Sequence, residues 1–247
     1  MKQSKWHIES NACIAEKVWR MVLQGDTEGI VPGQFVEIAV PGQYLRRPIS
    51  VSDVNGERLT IIYKTVGQGT AVMSRMQAGE DLDMLTGLGN GYDLTKAEEE
   101  VLLIGGGVGV PPLMYLAKRL RAQGKRVHVV MGFNTKDEVF GEETFMGYGC
   151  TVEVCTTDGS YGRRGVVTDL IHTPSPFYYA CGPLPMLRAI VQKAGTHGQM
   201  SLEERMGCGV GICVGCTIET KNGYERVCKE GPVFDVECLM FDDIKGF

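Results

Sequence analysis

The stretch MGCGVGICVGC, from Met206 to Cys216, holds three cysteines within nine residues, and a fourth, Cys228, closes the run ETKNGYERVC. The spacing is C-x4-C-x2-C-x11-C. Structural zinc usually takes two C-x2-C pairs or a Cys/His mixture. Here only Cys213 and Cys216 form such a pair, and no histidine is near. A C-x4-C-x2-C run followed by a distant Cys is instead the plant-type arrangement for a [2Fe–2S] cluster. Cluster sulfides accept hydrogen bonds from backbone N–H groups, so the chain must wrap closely. Gly207, Gly209, Gly211 and Gly215 permit the conformations this needs. Cys208, Cys213, Cys216 and Cys228 are the expected ligands. Cys238, in FDVECLMF, has apolar flanks and reads as part of a packed strand or short helix.

Four further motifs could hold a nucleotide. In VLLIGGGVGVPPL an apolar strand delivers the chain to glycines, and a helix starts at Pro111 or Pro112. Backbone N–H groups there can face a pyrophosphate. The pattern, Gly107-x-Gly109-x-x-Pro112, departs from the full dinucleotide fingerprint and also suits a plain strand–helix turn. In YYACGPLPM a second strand ends in Cys181-Gly182-Pro183. Ligands bind beyond the carboxyl ends of parallel strands, so both turns should open on one edge. Cys181 could line a nicotinamide pocket there, or be a buried structural thiol. YLRRPISV offers two arginines for a diphosphate, or a solvated pair on an edge strand. YKTVGQGTAVMSRM places Gly67 and Gly69 before a helix expected to be N-capped by Thr70 and stopped by Gly79.

These groups need elements to position them. The first ~95 residues read as short strands and turns, including GQFVEIAV and RLTIIYKTV, and suggest a small antiparallel barrel. After KAEEE the pattern changes to strand, glycine turn, helix, strand, a βαβ unit of a parallel sheet. The expected organisation is multi-domain: a barrel over 1–95, an α/β parallel-sheet domain over 96–201, and a small cluster segment over 202–247. That last piece is too short to fold alone without its metal.

Composition sets outer limits. The 247 residues are 43% hydrophobic and 22% charged, as in an ordinary globular chain. The net charge of −5 argues against general nucleic-acid binding. MKQSKWHIES has no apolar signal-peptide core, and no stretch is long enough to cross a membrane, so a cytoplasmic location is expected. Nine cysteines then point to metal or redox use rather than disulfides. Cys13, Cys150, Cys155 and Cys238 are expected to be buried thiols.

The order of these motifs is more specific than any one of them. LRRPIS, IGGGVGVPPL, DGSYGRRG, ACGPLPML and GCGVGICVGC, in that sequence, resemble the ferredoxin–NADP reductase superfamily with a cluster appended. Within it the whole chain is similar to the electron-transfer subunits of B-type, NAD-dependent dihydroorotate dehydrogenases. The resemblance implies FAD on Arg47, Pro48, Ile49 and Ser50, with Ile49 where the superfamily often has an aromatic. It also implies flavin contacts at Ile62, Tyr63 and Lys64, and the flavin pyrophosphate at Gly69 and Thr70. Ser50 is the expected hydrogen-bonding group at the flavin's reactive edge. NAD is expected at Gly107, Gly109, Cys181, Gly182 and Pro183, and the [2Fe–2S] cluster on the four cysteines.

The implied partner is an FMN-containing subunit that oxidises dihydroorotate, in a heterotetramer of two of each. No general base is expected here, because redox cofactors carry the chemistry. Gly209, Val210, Gly211 and Ile212 are expected to let that partner approach. MGFNTKDEVF offers Asp137 and Glu138 but no arginine cluster for a 2′-phosphate, which leans towards NAD. The competing readings are the flavin subunit of a ferredoxin-dependent NADP oxidoreductase complex, a stand-alone flavin reductase with a cluster, and a zinc-stabilised nucleotide module without redox activity.

Overall fold

The computed structural model describes residues 1–172 and 175–241, so the end of the cluster segment, 242–247, lies outside the described residues. Six antiparallel strands close a barrel in the order β1-β2-β5-β4-β3-β6. They are β1 (Lys2–Ala15), β2 (Val18–Gln24), β3 (Phe35–Ile38), β4 (Arg47–Asn55), β5 (Arg58–Lys64) and β6 (Asp81–Leu88). Alternation turns Trp6, Ile8, Met21, Leu23, Val36, Ile38 and Ile61 inward, all fully buried. The helix between β5 and β6 is short, α1 (Gln68–Met73), and differs from expectation at its start. Gly67 is the N-cap and Thr70 lies three residues inside, its hydroxyl accepting the N–H groups of Val66 and Gly67 at 3.0 and 3.2 Å. A threonine serves either end of such a turn, so its type alone does not place the first residue.

The second unit is built on β7 (Glu100–Gly106), β8 (Arg126–Phe133), β9 (Thr151–Thr156), β10 (Arg163–Arg164), β11 (Tyr178–Cys181) and β12 (Gly198–Ser201). These run parallel in the order β10-β9-β8-β7-β11-β12. Helix α2 (Pro111–Ala122) follows the glycine turn, starting at Pro111, whose missing N–H has no intrahelical partner there. α3 (Glu142–Gly147) and α4 (Leu184–Ala194) complete the helices. α2 also fastens the sheet to the barrel. Lys118 donates to Asp53 and to the Val54 carbonyl at 2.9 and 2.8 Å, and Tyr115 reaches the Ile30 carbonyl.

The cysteine segment contains a hairpin, β13 (Thr217–Thr220) and β14 (Gly223–Arg226), and then β15 (Val233–Asp235). β15 joins the large sheet as its edge, antiparallel to β12. Its packing joins Phe35 of the barrel, Cys216 and Cys228 into one apolar cluster. Asn90 clasps this seam with three side-chain hydrogen bonds, to the Glu230 and Val233 carbonyls and from the Val233 N–H, at 2.8, 2.7 and 3.0 Å. No helix among the described residues is long and apolar enough to cross a membrane.

Asn90→Ala leaves those backbone groups to find water in a crowded seam. The expected cost is roughly 1–3 kcal/mol, read as a lower unfolding temperature with FAD content retained in the folded fraction.

Candidate functional site

Two turns meet at the carboxyl edge of the parallel sheet. β7 and β11 are neighbours, with Cys181 opposite Gly105, so the strands deliver both turns to the same edge. A Cβ on Gly109 would overlap the Cys181 carbonyl, so only glycine allows the turns to touch. Beside them lies a cleft of about 680 Å³. Its barrel wall is Arg46, Arg47, Pro48, Ser50 and Lys64. Its sheet wall is Gly106 to Gly109 with Cys181, Gly182 and Pro183. Its end is the run Ser201 to Met206, which leads directly to Cys208.

The structure therefore brings Arg47, Pro48, Ser50, Lys64, Gly107, Gly109, Cys181, Gly182 and Pro183 to one space. It turns three other expected residues elsewhere. Ile49 packs against the barrel interior, because alternation sends it opposite to Pro48 and Ser50. Tyr63 also lies inside the barrel, its hydroxyl donating to Asn11 and pushed up to about 12 by burial. Ile62 faces the core of the sheet domain. Gly69 and Thr70 do not line the cleft, but Gly69 supports its rim. A Cβ there would overlap the Arg47 guanidinium, which donates to Gln43 at 2.7 Å and to backbone carbonyls.

A second hollow of about 360 Å³ opens beyond the ends of β7, β8 and β9 and shares Gly106, Gly107, Asn134, Glu138 and Pro183 with the first. Its described lining has one charged side chain, Glu138, and no Arg or Lys. Glu138 accepts from Lys64 at 2.8 Å and from Asn134 at 2.9 Å, and the Lys64 bond holds its carboxyl below the usual range. It thus ties barrel to sheet across the cleft. Asp137 lines neither hollow.

Sequence reasoning missed Glu203. Its side chain is exposed and lines the cleft, and desolvation by the surrounding protein, with the Glu204 charge beside it, holds its carboxyl above the ordinary value. Cys181 is its neighbour, pushed up to about 12 by burial first and by the Glu203 charge second. The only available signal was the position of Glu203 just after a strand that ends on the same edge.

The four cysteines fall into pairs. Cys208 Sγ accepts the N–H groups of Ile212 and Cys213 at 3.3 and 3.4 Å, and Cys216 Sγ accepts the Cys228 N–H at 3.4 Å. Among the described residues no three His, Cys, Asp or Glu side chains converge at single-ion distance. Two pairs of thiols suit two iron ions better than one tetrahedral zinc. Burial works against the Cys208 thiolate, but the N–H groups of Cys213, Val210 and Ile212 outweigh it and bring the thiol down to about 6. Cys228 is pushed up to about 12 by burial and by Cys216, so loading metal there must expel a proton. A side chain on Gly207 would crowd Cys213 Sγ, which lies 3.2 Å from where its Cβ would stand. Backbone donors to sulfur and bare glycines around it fit an iron–sulfur cluster.

The loop is held from behind. Arg226 donates to the Gly211 carbonyl at 2.6 Å and to both oxygens of Glu230, which brings the Glu230 carboxyl down to about 2. Gly209 and Gly211 are buried, against Glu37 and Lys229, with φ of +66° and +82°. This corrects the expectation that they face a partner, since the wrapping that frees their N–H groups turns them inward. Ile212 and Val214, 81% and 61% exposed, and the exposed Cys213 form the outer surface. Val214 sits at φ +52°, a strained position for a β-branched residue. Cys150 and Cys155 are buried, Cys238 is half-buried in a turn over Val236–Cys238, and Cys13 is exposed, contrary to expectation. Cys13 lies just before an irregularity in the β1–β2 register, which the alternation does not foresee.

A barrel and a parallel sheet sharing one cleft, with a thiol-rich loop at its end, define a flavin- and nicotinamide-linked reductase of the ferredoxin reductase class. The iron–sulfur cluster binding domain of dihydroorotate dehydrogenase B matches residues 203–240. The dihydroorotate dehydrogenase B (NAD(+)) electron transfer subunit of Fusobacterium nucleatum is 44% identical, covering 96% of this chain and 99% of that protein. The Bacillus velezensis subunit of the same name is 41% identical over 96% and 98%. The NADH-dependent reduced ferredoxin–NADP oxidoreductase superposes with a TM-score of 0.87 at 30% identity, covering 96% of this chain and 90% of that one. The chain belongs to the family of dihydroorotate dehydrogenase B electron transfer subunits.

Cys228→Ser is expected to abolish the [2Fe–2S] EPR signal and Cys238→Ser to keep it. Arg226→Ala is expected to hasten cluster loss several-fold, monitored by visible absorbance. Arg226→Lys should not restore retention, because one amine cannot span both Glu230 and the Gly211 carbonyl.

Proposed function

We propose that this chain receives electrons from a dihydroorotate-oxidising, FMN-containing partner subunit and passes them through a [2Fe–2S] cluster and FAD to NAD⁺, as part of pyrimidine biosynthesis. The observation that carries this reading is the single cleft whose barrel wall, glycine turns and cysteine-segment wall meet in one space, in a chain of this family. When bound, the cluster supplies one-electron transfer, the flavin one- or two-electron transfer, and the nicotinamide hydride exchange.

The chain's own residues bind and orient. Arg46 and Arg47 stand at the barrel rim where a diphosphate would lie, and Ser50 offers a hydroxyl inside the cleft. The Gly106–Gly109 and Cys181–Pro183 turns leave backbone open to a dinucleotide. Cys208, Cys213, Cys216 and Cys228 are the proposed cluster ligands. Ile212 and Val214, apolar and outward beside Cys213, are the proposed contact for the partner, in a complex of two subunits of each kind.

The direct test is co-purification. The complex should contain FMN, FAD and iron, and should form orotate with NAD⁺, whereas this chain alone should reduce dyes with NADH but form no orotate. Orotate formation by the isolated chain would overturn the division of labour. Because the second hollow presents a carboxylate and no cation among its described lining, NADH is expected to reduce the flavin much faster than NADPH in stopped flow. Ile212→Glu is expected to spare dye reduction and block partner turnover.

A further inference from the structure

We infer that Glu37 is a positioning residue for the iron–sulfur segment, and that its buried carboxyl, wedged between the flavin-side barrel and the loop carrying Cys208, sets the cluster's reduction potential. The inference rests on Cys208 being a cluster ligand, as proposed above.

Glu37 lies on β3, paired with Pro48 of the flavin-side strand and with Leu85. Its neighbours Val36 and Ile38 face the barrel core, and Phe35, two residues back on its own face, packs into the apolar cluster that holds Cys216 and Cys228. An apolar side chain is the default at such a position. A carboxylate stands there instead, only 2% exposed. Its Oε1 has no hydrogen-bond partner among the described residues. A Cβ on Gly209 would overlap that same oxygen, so the carboxyl presses on the residue directly after Cys208.

The charged groups facing it are Arg46, Arg47 and the Cys208 sulfur. Both arginines are engaged elsewhere. Arg46 pairs with Asp83 and donates to the Glu37 and Asp83 carbonyls, while Arg47 donates to Gln43 and to the Leu45 and Arg46 carbonyls. An unpaired buried carboxyl is costly, and its field is little screened. A negative charge held beside the cluster disfavours adding an electron to it, so it lowers the potential.

The test uses the full chain carrying FAD and its cluster, with cluster midpoints from EPR-monitored redox titration at pH 9, where a carboxylate is ionised. Glu37→Gln should keep the [2Fe–2S] line shape and shift the midpoint to a more positive value. Glu37→Asp, which keeps the charge but withdraws it from Gly209, should fall between the two. A purely structural role would lower thermal stability and leave the potential where it was. A wild-type signal with an unmoved midpoint in Glu37→Gln overturns this inference alone. If Glu37→Gln does not hold the cluster, Glu37→Asp decides, and a midpoint equal to wild type overturns it. A wild-type chain with no [2Fe–2S] signal removes the ligand assignment as well.

Discussion

The Leu202 N–H donates to the Pro232 carbonyl at 2.8 Å, and the architecture of the site hangs on that closure. It joins the two ends of the cysteine segment at its base, next to the β12–β15 pairing. A loop so long has a sizeable closure entropy. Pinning it there, with Asn90 and the bond between Gln199 and Asp235 alongside, fixes where the thiols stand relative to the cleft. The run Ser201 to Met206 is then obliged to form the cleft's end wall before it reaches Cys208. The proposed cluster and flavin sites are neighbours because the chain between them has nowhere else to go.

The same economy governs the seam between barrel and sheet. Lys118 with Asp53, and Lys64 with Glu138, are partly buried ion pairs that cross from barrel to sheet domain. Such pairs contribute little net stability, but each has only one good geometry. They hold the two walls of the cleft at a fixed separation, which matters more for cofactors that exchange electrons than the pairs' own energy does.

Much of this was legible in the sequence, for physical reasons. Close backbone approach demands glycine, so the turns at Gly107–Gly109 and Cys181–Pro183 announced themselves, and β7 next to β11 placed them together. Thiol spacing announced the cluster loop. Strand alternation carries the inward faces of Ile49 and Tyr63, which follow from Pro48, Ser50 and Lys64 facing the cleft, but not Ile62, which shares the face of Lys64 and packs under the sheet domain. Direction within an irregular loop was not readable: Gly209 and Gly211 look like open surface until their positive φ turns them to Glu37 and Lys229. A lone carboxylate carries no spacing signal, so Glu37 was invisible and Glu203 had only its place after β12; tertiary contact alone shows that one is buried and the other lines the cleft.

The thiols also differ in shelter. Cys216 and Cys228 are each 2% exposed, whereas Cys213 is open to solvent between two apolar side chains. Oxidants and chelators reach metal through the ligand that water reaches first. With the four cysteines as the proposed ligands, attack on a chain without its partner would come from one side, at Cys213, while the buried pair stays sheltered. On that ligand set the proposed docking surface is also the side from which the cluster would be attacked, so docking there would shield it.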